Sequence, residues 1–489
     1  MKLFTINKNY RYELENICRL FFPFEKIEIT DMDFDEGEGF YAKASAEVKA
    51  GGKLAVTLKR GEFYKKTEQT LTCSEDIETE AERLLAVMLY EAFCELTATR
   101  PQWGILTGVR PGKLIRKLTA SMGAEGACSY FKDKLLCSEK KTQLCMTAAE
   151  NEEKIIASSN TKEFSLYFSV PFCPTRCSYC SFVSHSVEKS MKLVDEYVEL
   201  LCKELAYTGE IVKKLGLKLS TVYMGGGTPT TLSAQQLERV LSQVNESFDT
   251  ASAREFTVEA GRPDTITKEK LEAIKAAGAT RISINPQTFN DSVLQAIGRR
   301  HTTQQTIDSF KLARECGFDN INMDLIAGLP TDTVESFADS VEGALKLDPE
   351  SITVHTLSLK RSSRLTTRGD MPDAKAGVEA DMMLNISNSR LCESGYEPYY
   401  LYRQSKTVGN LENTGYAKSG FESLYNIFIM DETHSIIACG ASAVTKLRSA
   451  DGYIERVFNY KYPYEYISRF DEIIERKKAI EEFYKRYPI

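Results

Sequence analysis

From about residue 164 the chain alternates short apolar strands with amphipathic helical stretches. Six strand–helix units in a row predict a parallel sheet wrapped by helices. A partial (β/α)6 barrel and an open doubly wound sheet both fit this alternation, and the pattern by itself does not choose between them. The predicted strands are Phe164–Val170, Thr221–Met224, Glu255–Ala260, Arg281–Ile284, Asn320–Ile326 and Ser351–Leu357.

Both architectures place function at the carboxyl ends of the strands. The polar and glycine-rich features of the chain follow that rule. Three cysteines come after the first strand, and the turn Gly225-Gly226-Gly227-Thr228-Pro229 comes after the second. Glu259 ends the third strand, Gln287 lies just past the fourth, and Asp324 lies late in the fifth. We therefore expect these residues to meet at one edge of the sheet.

The three cysteines are Cys173, Cys177 and Cys180, and their spacing is C-x3-C-x2-C. Three thiolates at this spacing can hold three corners of a [4Fe–4S] cluster and leave the fourth iron without a protein ligand. A closed zinc site is the alternative, with His185 as the fourth ligand. A disulfide fits less well, because three cysteines do not pair evenly.

Composition excludes several other classes of protein. The 489 residues suffice for two or three domains, and an apolar content of 42% is ordinary for a globular protein. A net charge of −7 argues against a nucleic-acid-binding surface. We expect no signal peptide and no membrane span, since no long uncharged apolar window occurs. The scattered single cysteines indicate a reducing cytoplasm.

The glycine turn and two carboxylates carry further information. Glycine has no Cβ, so the backbone N–H groups of Gly225–Gly227 can approach a ligand closely. The turn does not continue as a phosphate-binding loop does. Asp324 and Glu259 lie in or directly after apolar runs, where an unpaired carboxylate is costly, and this favours a ligand role for both. Structural alternatives remain for Tyr167 as a core residue and for Arg299 as a surface arginine.

Five segments occur in the same order in the oxygen-independent coproporphyrinogen III oxidase family of HemN-like radical-SAM proteins, which this chain resembles over roughly residues 160–440. The N-terminal module and the segment Val258–Asp264 look most like the HemZ subgroup. The resemblance implies a partial (β/α)6 radical-SAM barrel. The five segments are Leu166–Cys173, the glycine turn, Ile282–Gln287, Gly298–His301 and Met323–Pro330.

The resemblance also implies cofactors and their ligands. Cys173, Cys177 and Cys180 would hold the [4Fe–4S] cluster, with S-adenosylmethionine (SAM) at the open iron. The methionine end of SAM would contact Gly226, Gly227 and Thr228, with Glu259 close by. Tyr167 would lie near both the cluster and SAM.

The rest of SAM would be held from the later strands. Arg299 would pair with its carboxylate, and Gln287 and Asp324 would anchor the ribose hydroxyls. The backbone around Tyr179 and Ala327 would form walls for the adenine.

The implied reaction is oxidative decarboxylation of coproporphyrinogen III propionates to vinyl groups, which gives protoporphyrinogen IX in heme biosynthesis. A reducing protein such as flavodoxin or ferredoxin would supply electrons. Two departures from the family pattern matter: Phe182 stands where some members have a fourth cysteine, and Ser169 stands where the family has a histidine. The first departure matches HemW-like heme chaperones, so a heme carrier or an enzyme acting on another tetrapyrrole stays open.

Three domains are expected: an N-terminal α+β module at 1–155 of unknown role, the radical-SAM core at 160–375, and a C-terminal α+β region at 376–489 that covers the substrate. Cationic partners for a tetracarboxylate substrate are offered by the segment 360–365 and by Arg403, each with a solvated charged loop as the alternative. His355 closes the sixth strand, as a substrate contact or as a core histidine.

Overall fold

The computed structural model describes residues 1–5, 10–31, 39–72, 76–180, 185–359, 363, 365, 374–404 and 406–488. These residues form two compact units: Met1–Met146 with Arg403–Leu411, and Thr147–Tyr402 with Glu412–Ile489. The expected domain boundaries near 155 and 375 stay predictions. Phe182 and most of the basic segment 360–365 lie outside the described residues.

The first unit contains a five-stranded sheet whose order is β2-β1-β3-β4-β5. Its strands are β1 (Lys2–Thr5), β2 (Glu28–Thr30), β3 (Tyr41–Ala46), β4 (Lys53–Arg60) and β5 (Phe63–Thr70). Its helices are α1 (Arg11–Phe21), α2 (Ile77–Thr97) and α3 (Pro111–Ser129), and α4 (Glu139–Ile156) continues into the second unit.

Gly51 and Gly52 lie in the connection between β3 and β4. Gly51 has a φ of +75°, and Gly52 N–H donates to Lys49 O at 2.9 Å. The neighbouring strands pair antiparallel in the register Ala46↔Leu54. The apolar pattern of the sequence does not reveal β5, because this edge strand is polar and largely exposed.

The second unit contains an eleven-stranded sheet of order β14-β15-β13-β12-β11-β10-β9-β6-β16-β17-β18. Its strands include β6 (Glu163–Val170), β9 (Lys218–Gly226), β10 (Glu255–Glu259), β11 (Arg281–Ser283), β12 (Ile321–Ala327) and β13 (Ser351–Thr356). The others are β14 (Glu397–Arg403), β15 (Glu412–Ala417), β16 (Ser435–Cys439), β17 (Val444–Arg448) and β18 (Ile454–Phe458). A separate two-stranded sheet consists of β7 (Phe172–Cys173) and β8 (His185–Ser186).

The helices of the second unit cross between these strands and cover the sheet. They are α5 (Val187–Leu215), α6 (Ala234–Ser247), α7 (Lys268–Ala276), α8 (Asp291–Ala296), α9 (Thr303–Glu315) and α10 (Val334–Leu347), followed by α11 (Ala374–Glu393), α12 (Leu424–Asp431), α13 (Pro463–Ser468) and α14 (Phe470–Arg486). Among the described residues, none of the helices is both long and apolar enough to span a membrane.

Strand order decides between the two architectures that the sequence leaves open. The six predicted strands are all present, they pair parallel, and they stand side by side in chain order from β6 to β13. Each crossover therefore moves the same way, and right-handed crossovers then put the helices on one side of the sheet. A doubly wound sheet would reverse its order, so the fold is the partial (β/α)6 barrel.

The C-terminal region extends this sheet at both ends. β16 pairs parallel with β6, with Ala438 opposite Tyr167. β15 pairs antiparallel with β13, with Gly415 opposite Thr353. The charged C-terminal segment forms two helices, α13 and α14, which meet at Arg469.

Candidate active site

Five strand residues of the barrel are only partly buried, although their neighbours along each strand are buried. They are Tyr167 on β6, Tyr223 on β9, Glu259 on β10, Asp324 on β12 and His355 on β13. Parallel strands that are buried on both faces read as continuous apolar runs, so a polar and partly exposed position within them marks a cavity or site. The five residues define the interior surface of the candidate site.

The cysteine loop begins where β6 ends. Cys173 and Cys177 are buried, and Cys180 is partly buried. The loop is tied to the far side of the barrel, because Ser178 N–H donates to Ile297 O at 2.9 Å. Among the described residues, no three His, Cys, Asp or Glu side chains already converge as the ligands of one metal ion do.

The glycine turn after β9 packs directly against the cysteine loop. Gly227 N–H donates to Val170 O at 2.7 Å, and Thr228 N–H donates to Phe172 O at 2.8 Å. A Cβ on Gly227 would lie 2.6 Å from Phe172 O and 3.0 Å from Cys173 Sγ. Only glycine therefore allows this backbone to lie against the first cysteine.

The turn also brings one hydroxyl to the same cysteine. Thr228 Oγ1 lies 3.4 Å from Cys173 Sγ. Gly226 has a φ of +108°, and a Cβ there would lie 2.5 Å from Ser169 Oγ. Together these contacts leave a cradle of bare backbone beside a thiol, which fits a cluster with a small polar ligand at its open iron.

Glu259 lies beneath this turn and has an unusual protonation equilibrium. Tyr223 Oη donates to Glu259 Oε1 at 2.5 Å. Burial raises the pKa of Glu259 to about 7; the Tyr223 hydrogen bond opposes that rise, and the charge of Asp324 adds to it. Gly225 leaves space for the carboxylate, since a Cβ there would lie 3.2 Å from Glu259 Oε2.

Asp324, on β12, is held as an anion at the interior surface of the candidate site. Asn322 Nδ2 donates to its Oδ1 at 2.7 Å, and His355 Nε2 lies 3.7 Å from its Oδ2. Burial opposes ionisation, but the interactions with His355 and Asn322 keep the pKa of Asp324 below its usual value.

Gln287 is fixed beside Asp324 by its backbone. It has a φ of +71° and forms an isolated parallel bridge with Leu325. Gln287 N–H donates to Asp324 O at 2.9 Å, and its carbonyl accepts from Ile326 N–H at 3.0 Å. A non-glycine residue in the left-handed region is a mark of a constrained and often functional position.

Arg299 and Tyr179 join the cysteine loop to the segments after β10 and β11. Arg299 is buried; its Nη1 donates to Asn285 O at 2.7 Å and to Gly261 O at 3.2 Å, and its Nη2 donates to Tyr179 Oη at 3.3 Å. The surface alternative for Arg299 is therefore wrong. Arg299 Nε is buried without a hydrogen-bond partner among the described residues, so it is a donor still available to an anion.

The remaining predicted site residues lie on the same edge. Ala327 ends β12, is fully buried, and its carbonyl accepts from Leu357 N–H at 3.0 Å. Tyr167 stacks on the rings of Tyr223 and Tyr425, each with a centroid distance of 6.3 Å. The structure thus gathers the predicted residues at one edge, and their individual roles stay predictions.

Three residues at this edge do not emerge from the sequence patterns. Tyr425 comes from α12 and stacks on Tyr223 at 4.4 Å. Arg262 reaches Cys177 Sγ at 3.6 Å. Tyr223 pairs with Tyr167 on the neighbouring strand, and its one signal in the sequence is its place two residues before the glycine turn.

The expectation that Arg403 is a cationic partner of the substrate is wrong. Its guanidinium is buried in the first unit, where it bonds to Leu106 O and to Asn410 O and lies 5.3 Å from the centroid of the Trp103 ring. These contacts use its donors, so it stabilises the Trp103 segment.

Comparison with known proteins agrees with this geometry. Residues 167–343 match the Radical SAM superfamily. The Bacillus subtilis (strain 168) "Oxygen-independent coproporphyrinogen-III oxidase-like protein HemZ" is 40% identical over 396 residues, which is 80% of this chain and 79% of that protein. "Heme chaperone HemW" of the same organism is 35% identical over 267 residues, which is 54% of this chain and 66% of that protein.

The fold is also found in a solved structure. The coproporphyrinogen III oxidase HemN from Escherichia coli, described as a radical SAM enzyme, aligns with a TM-score of 0.52 at 24% identity and covers 66% of this chain and 72% of its own. The fold and the cysteine–glycine edge are those of a radical-SAM protein, a class that uses a [4Fe–4S] cluster and SAM. Within that class, the chain belongs to the family of oxygen-independent coproporphyrinogen III oxidase-like proteins.

Proposed function

We propose that this chain is a radical-SAM oxidoreductase that converts propionate side chains of coproporphyrinogen III to vinyl groups and so yields protoporphyrinogen IX. The main support for radical-SAM chemistry is the close packing of Gly227 against Cys173. A Cβ placed on Gly227 would lie only 3.0 Å from Cys173 Sγ. The substrate class is supported by the 40% identity to the oxidase-like relative.

We assign the cluster to Cys173, Cys177 and Cys180, which offer three thiolates and leave one iron open. When bound, the cluster and SAM supply a carbon radical that removes a hydrogen atom from the substrate. The chain holds these groups and excludes water from them.

We assign the SAM contacts as follows. The backbone of Gly226, Gly227 and Thr228 binds the methionine end, and the free Nε of Arg299 binds its carboxylate. Glu259 in its ionised form attracts the positively charged end of the same ligand.

The later strands complete the site. Gln287 and Asp324 anchor the ribose, and the backbone near Tyr179 and Ala327 surrounds the adenine. Tyr167 lies near both the cluster and SAM.

Each propionate loses CO2, a hydrogen atom and one further electron to become a vinyl group. In the balanced reaction the hydrogen atom would pass to the radical that the bound cofactors supply, and the further electron would pass to a one-electron acceptor. A reducing protein of the flavodoxin or ferredoxin kind supplies the electron that starts each cycle. The scattered thiols of the chain favour a reducing, cytoplasmic setting for this chemistry.

The test is anaerobic turnover of reconstituted protein with dithionite, SAM and coproporphyrinogen III. We expect CO2, 5′-deoxyadenosine and a product whose mass and absorbance report vinyl groups. Cys177→Ala should abolish all three products, whereas Cys202→Ala should keep them, because Cys202 lies on α5 outside the cluster loop. Formation of deoxyadenosine with intact substrate would rule out this substrate.

A heme carrier is the second candidate. It is favoured by the similarity to heme chaperones and by Phe182 at the position of a fourth cysteine in some members. Stoichiometric heme binding and transfer to an apoprotein, without turnover of coproporphyrinogen, would support it. Heme supplied in the same anaerobic assay would reveal the third alternative, radical chemistry on another tetrapyrrole, through a product of altered mass.

A further inference from the structure

Arg262 lies in the segment after β10 and is only 3% exposed. Its Nη1 donates to Cys177 Sγ at 3.6 Å. Both Nη atoms lie 3.2 Å from Oγ1 of Thr175, which stands between the first two cysteines. A buried guanidinium therefore contacts the cysteine loop at a thiol and at a hydroxyl.

The carboxylate of Asp264 fixes the orientation of this guanidinium. Arg262 Nε donates to Asp264 Oδ1 at 3.0 Å, and Nη2 donates to Oδ2 at 3.0 Å, so the pair is bidentate. Oδ1 of Asp264 also lies 4.0 Å from Nδ1 of the buried His301. A two-point clamp leaves the guanidinium little freedom, and Nη1 is consequently aimed at Cys177.

We propose that Arg262 is a positioning residue that hydrogen-bonds the Cys177 thiolate of the loaded cluster and thereby raises the reduction potential of that cluster. The inference rests on the proposed role of Cys177 as a cluster ligand. Reduction adds one electron to the cluster, so a cation and a hydrogen bond at a ligating sulfur stabilise the reduced form more than the oxidised form.

A purely structural role predicts something different. If Arg262 only anchors the loop through Thr175, its loss lowers cluster occupancy and protein stability but leaves the potential of the occupied clusters unchanged. The potential therefore separates the two roles, and it is measured without any turnover of substrate.

The experiment is a potentiometric titration of the anaerobically reconstituted full-length protein, followed by the EPR signal of the reduced cluster. Arg262→Gln removes the charge, and Arg262→Lys keeps the charge but lacks the planar fork. Arg281→Lys is the matched control: Arg281 is equally buried, but its guanidinium bonds to Phe421 O and Ser351 Oγ, at the start of β11.

We expect a more negative midpoint potential in Arg262→Gln, with the ratio of reduced to oxidised cluster at a fixed potential lowered about tenfold. Arg262→Lys should shift the same way by less, and Arg281→Lys should match the wild type. A wild-type potential in iron-loaded Arg262→Gln would overturn the inference.

If Arg262→Gln holds no cluster, the midpoint potential of Arg262→Lys tests the inference instead. A more negative potential than in the wild type supports the hydrogen bond to Cys177, and a wild-type potential overturns the inference. Failure of the proposed cluster site is distinguishable from both results, because the wild-type protein itself would then show no cluster signal. Failure of the proposed substrate alone would be seen in the turnover assay and would leave the cluster potential measurable.

Discussion

Tyr223 and Glu259 form a 2.5 Å hydrogen bond from Oη to Oε1 inside the barrel. The same tyrosine ring stacks on Tyr425 at 4.4 Å, so its hydroxyl is held in place. Burial raises the pKa of Glu259 to about 7, and the Tyr223 hydrogen bond limits that rise. One tyrosine thus sets the pH range over which a buried carboxylate is available as an anion.

The first prediction concerns SAM binding. If ionised Glu259 attracts SAM, the affinity increases as pH rises through about 7, the pKa of this group. Tyr223→Phe removes the hydrogen bond that stabilises the carboxylate, so the rise should move to higher pH. Calorimetric titration of SAM between about pH 6 and about pH 9 measures this.

Tyr425→Phe is the control for that prediction, because it keeps an aromatic ring in the stack and leaves the Tyr223 hydroxyl in place. Its binding curve should follow the wild-type pH dependence. An affinity for SAM that is flat across this range in the wild type would contradict the role of Glu259.

The second prediction concerns stability without cofactors. The pKa of Glu259 rises from 4.5 to about 7 on folding. The contribution of protonated Glu259 to the free energy of unfolding is therefore fully present below about pH 4.5 and is lost as pH rises through about 7. Glu259→Gln lacks this loss and should gain stability relative to the wild type as pH increases.

Urea unfolding of the apoprotein at about pH 5 and about pH 8 measures this difference. Glu335→Gln, at an exposed position near the start of α10, should leave the pH dependence unchanged. Equal pH dependence in Glu259→Gln and the wild type would refute the argument.

The third prediction concerns the glycine turn. In Gly227→Ala the new methyl group meets Phe172 O at 2.6 Å and Cys173 Sγ at 3.0 Å, so the turn must move away from the cysteine loop. We expect an intact fold by circular dichroism, and SAM affinity lowered about tenfold or more.

Gly108→Ala is the matched control, because a Cβ at Gly108 meets no atom within 4 Å. It should bind SAM as the wild type does. Normal SAM binding and iron content in Gly227→Ala would show that the contact has no functional importance.

The fourth prediction concerns a buried ion pair in the second unit. Lys477 Nζ lies 2.9 Å from Glu204 Oε1, and their side chains are 2% and 0% exposed. Glu204 also accepts from Gly440 N–H at 2.7 Å and from Tyr466 Oη at 2.6 Å. Lys477→Met leaves a buried anion without its cation and should lower the free energy of unfolding by about 3 kcal/mol.

The exposed pair Lys214–Glu481 provides the comparison, because its N–O distance of 2.7 Å is similar while Lys214 is 67% exposed. Lys214→Met should cost less than about 1 kcal/mol by the same urea denaturation. Equal effects of the two substitutions would show that burial of the pair does not determine its importance.

The local patterns of the chain predict much of this molecule. The six core strands appear where apolar runs place them, and the cysteine spacing alone indicates a three-thiolate site, either for a cluster or, with a fourth ligand, for zinc. Polar β5 is missed, because an edge strand with one paired side needs no apolar alternation.

Arg403 illustrates the opposite error. An arginine beside four aromatic or aliphatic neighbours in Tyr399–Tyr402 resembles an exposed binding surface. Its burial against Trp103 depends on a segment far away in the chain, which no local pattern contains.

The sequence by itself determined the strand–helix alternation, the spacing of the three cysteines and the glycine turn, because periodicity and spacing act over a few residues. The tertiary structure alone decided that the strands follow one another in order as a partial barrel, that Tyr425 completes a tyrosine stack, and that Arg262 reaches Cys177. Those contacts join residues from separate strand–helix units, and strand order and register, which set them, are properties of the packed sheet.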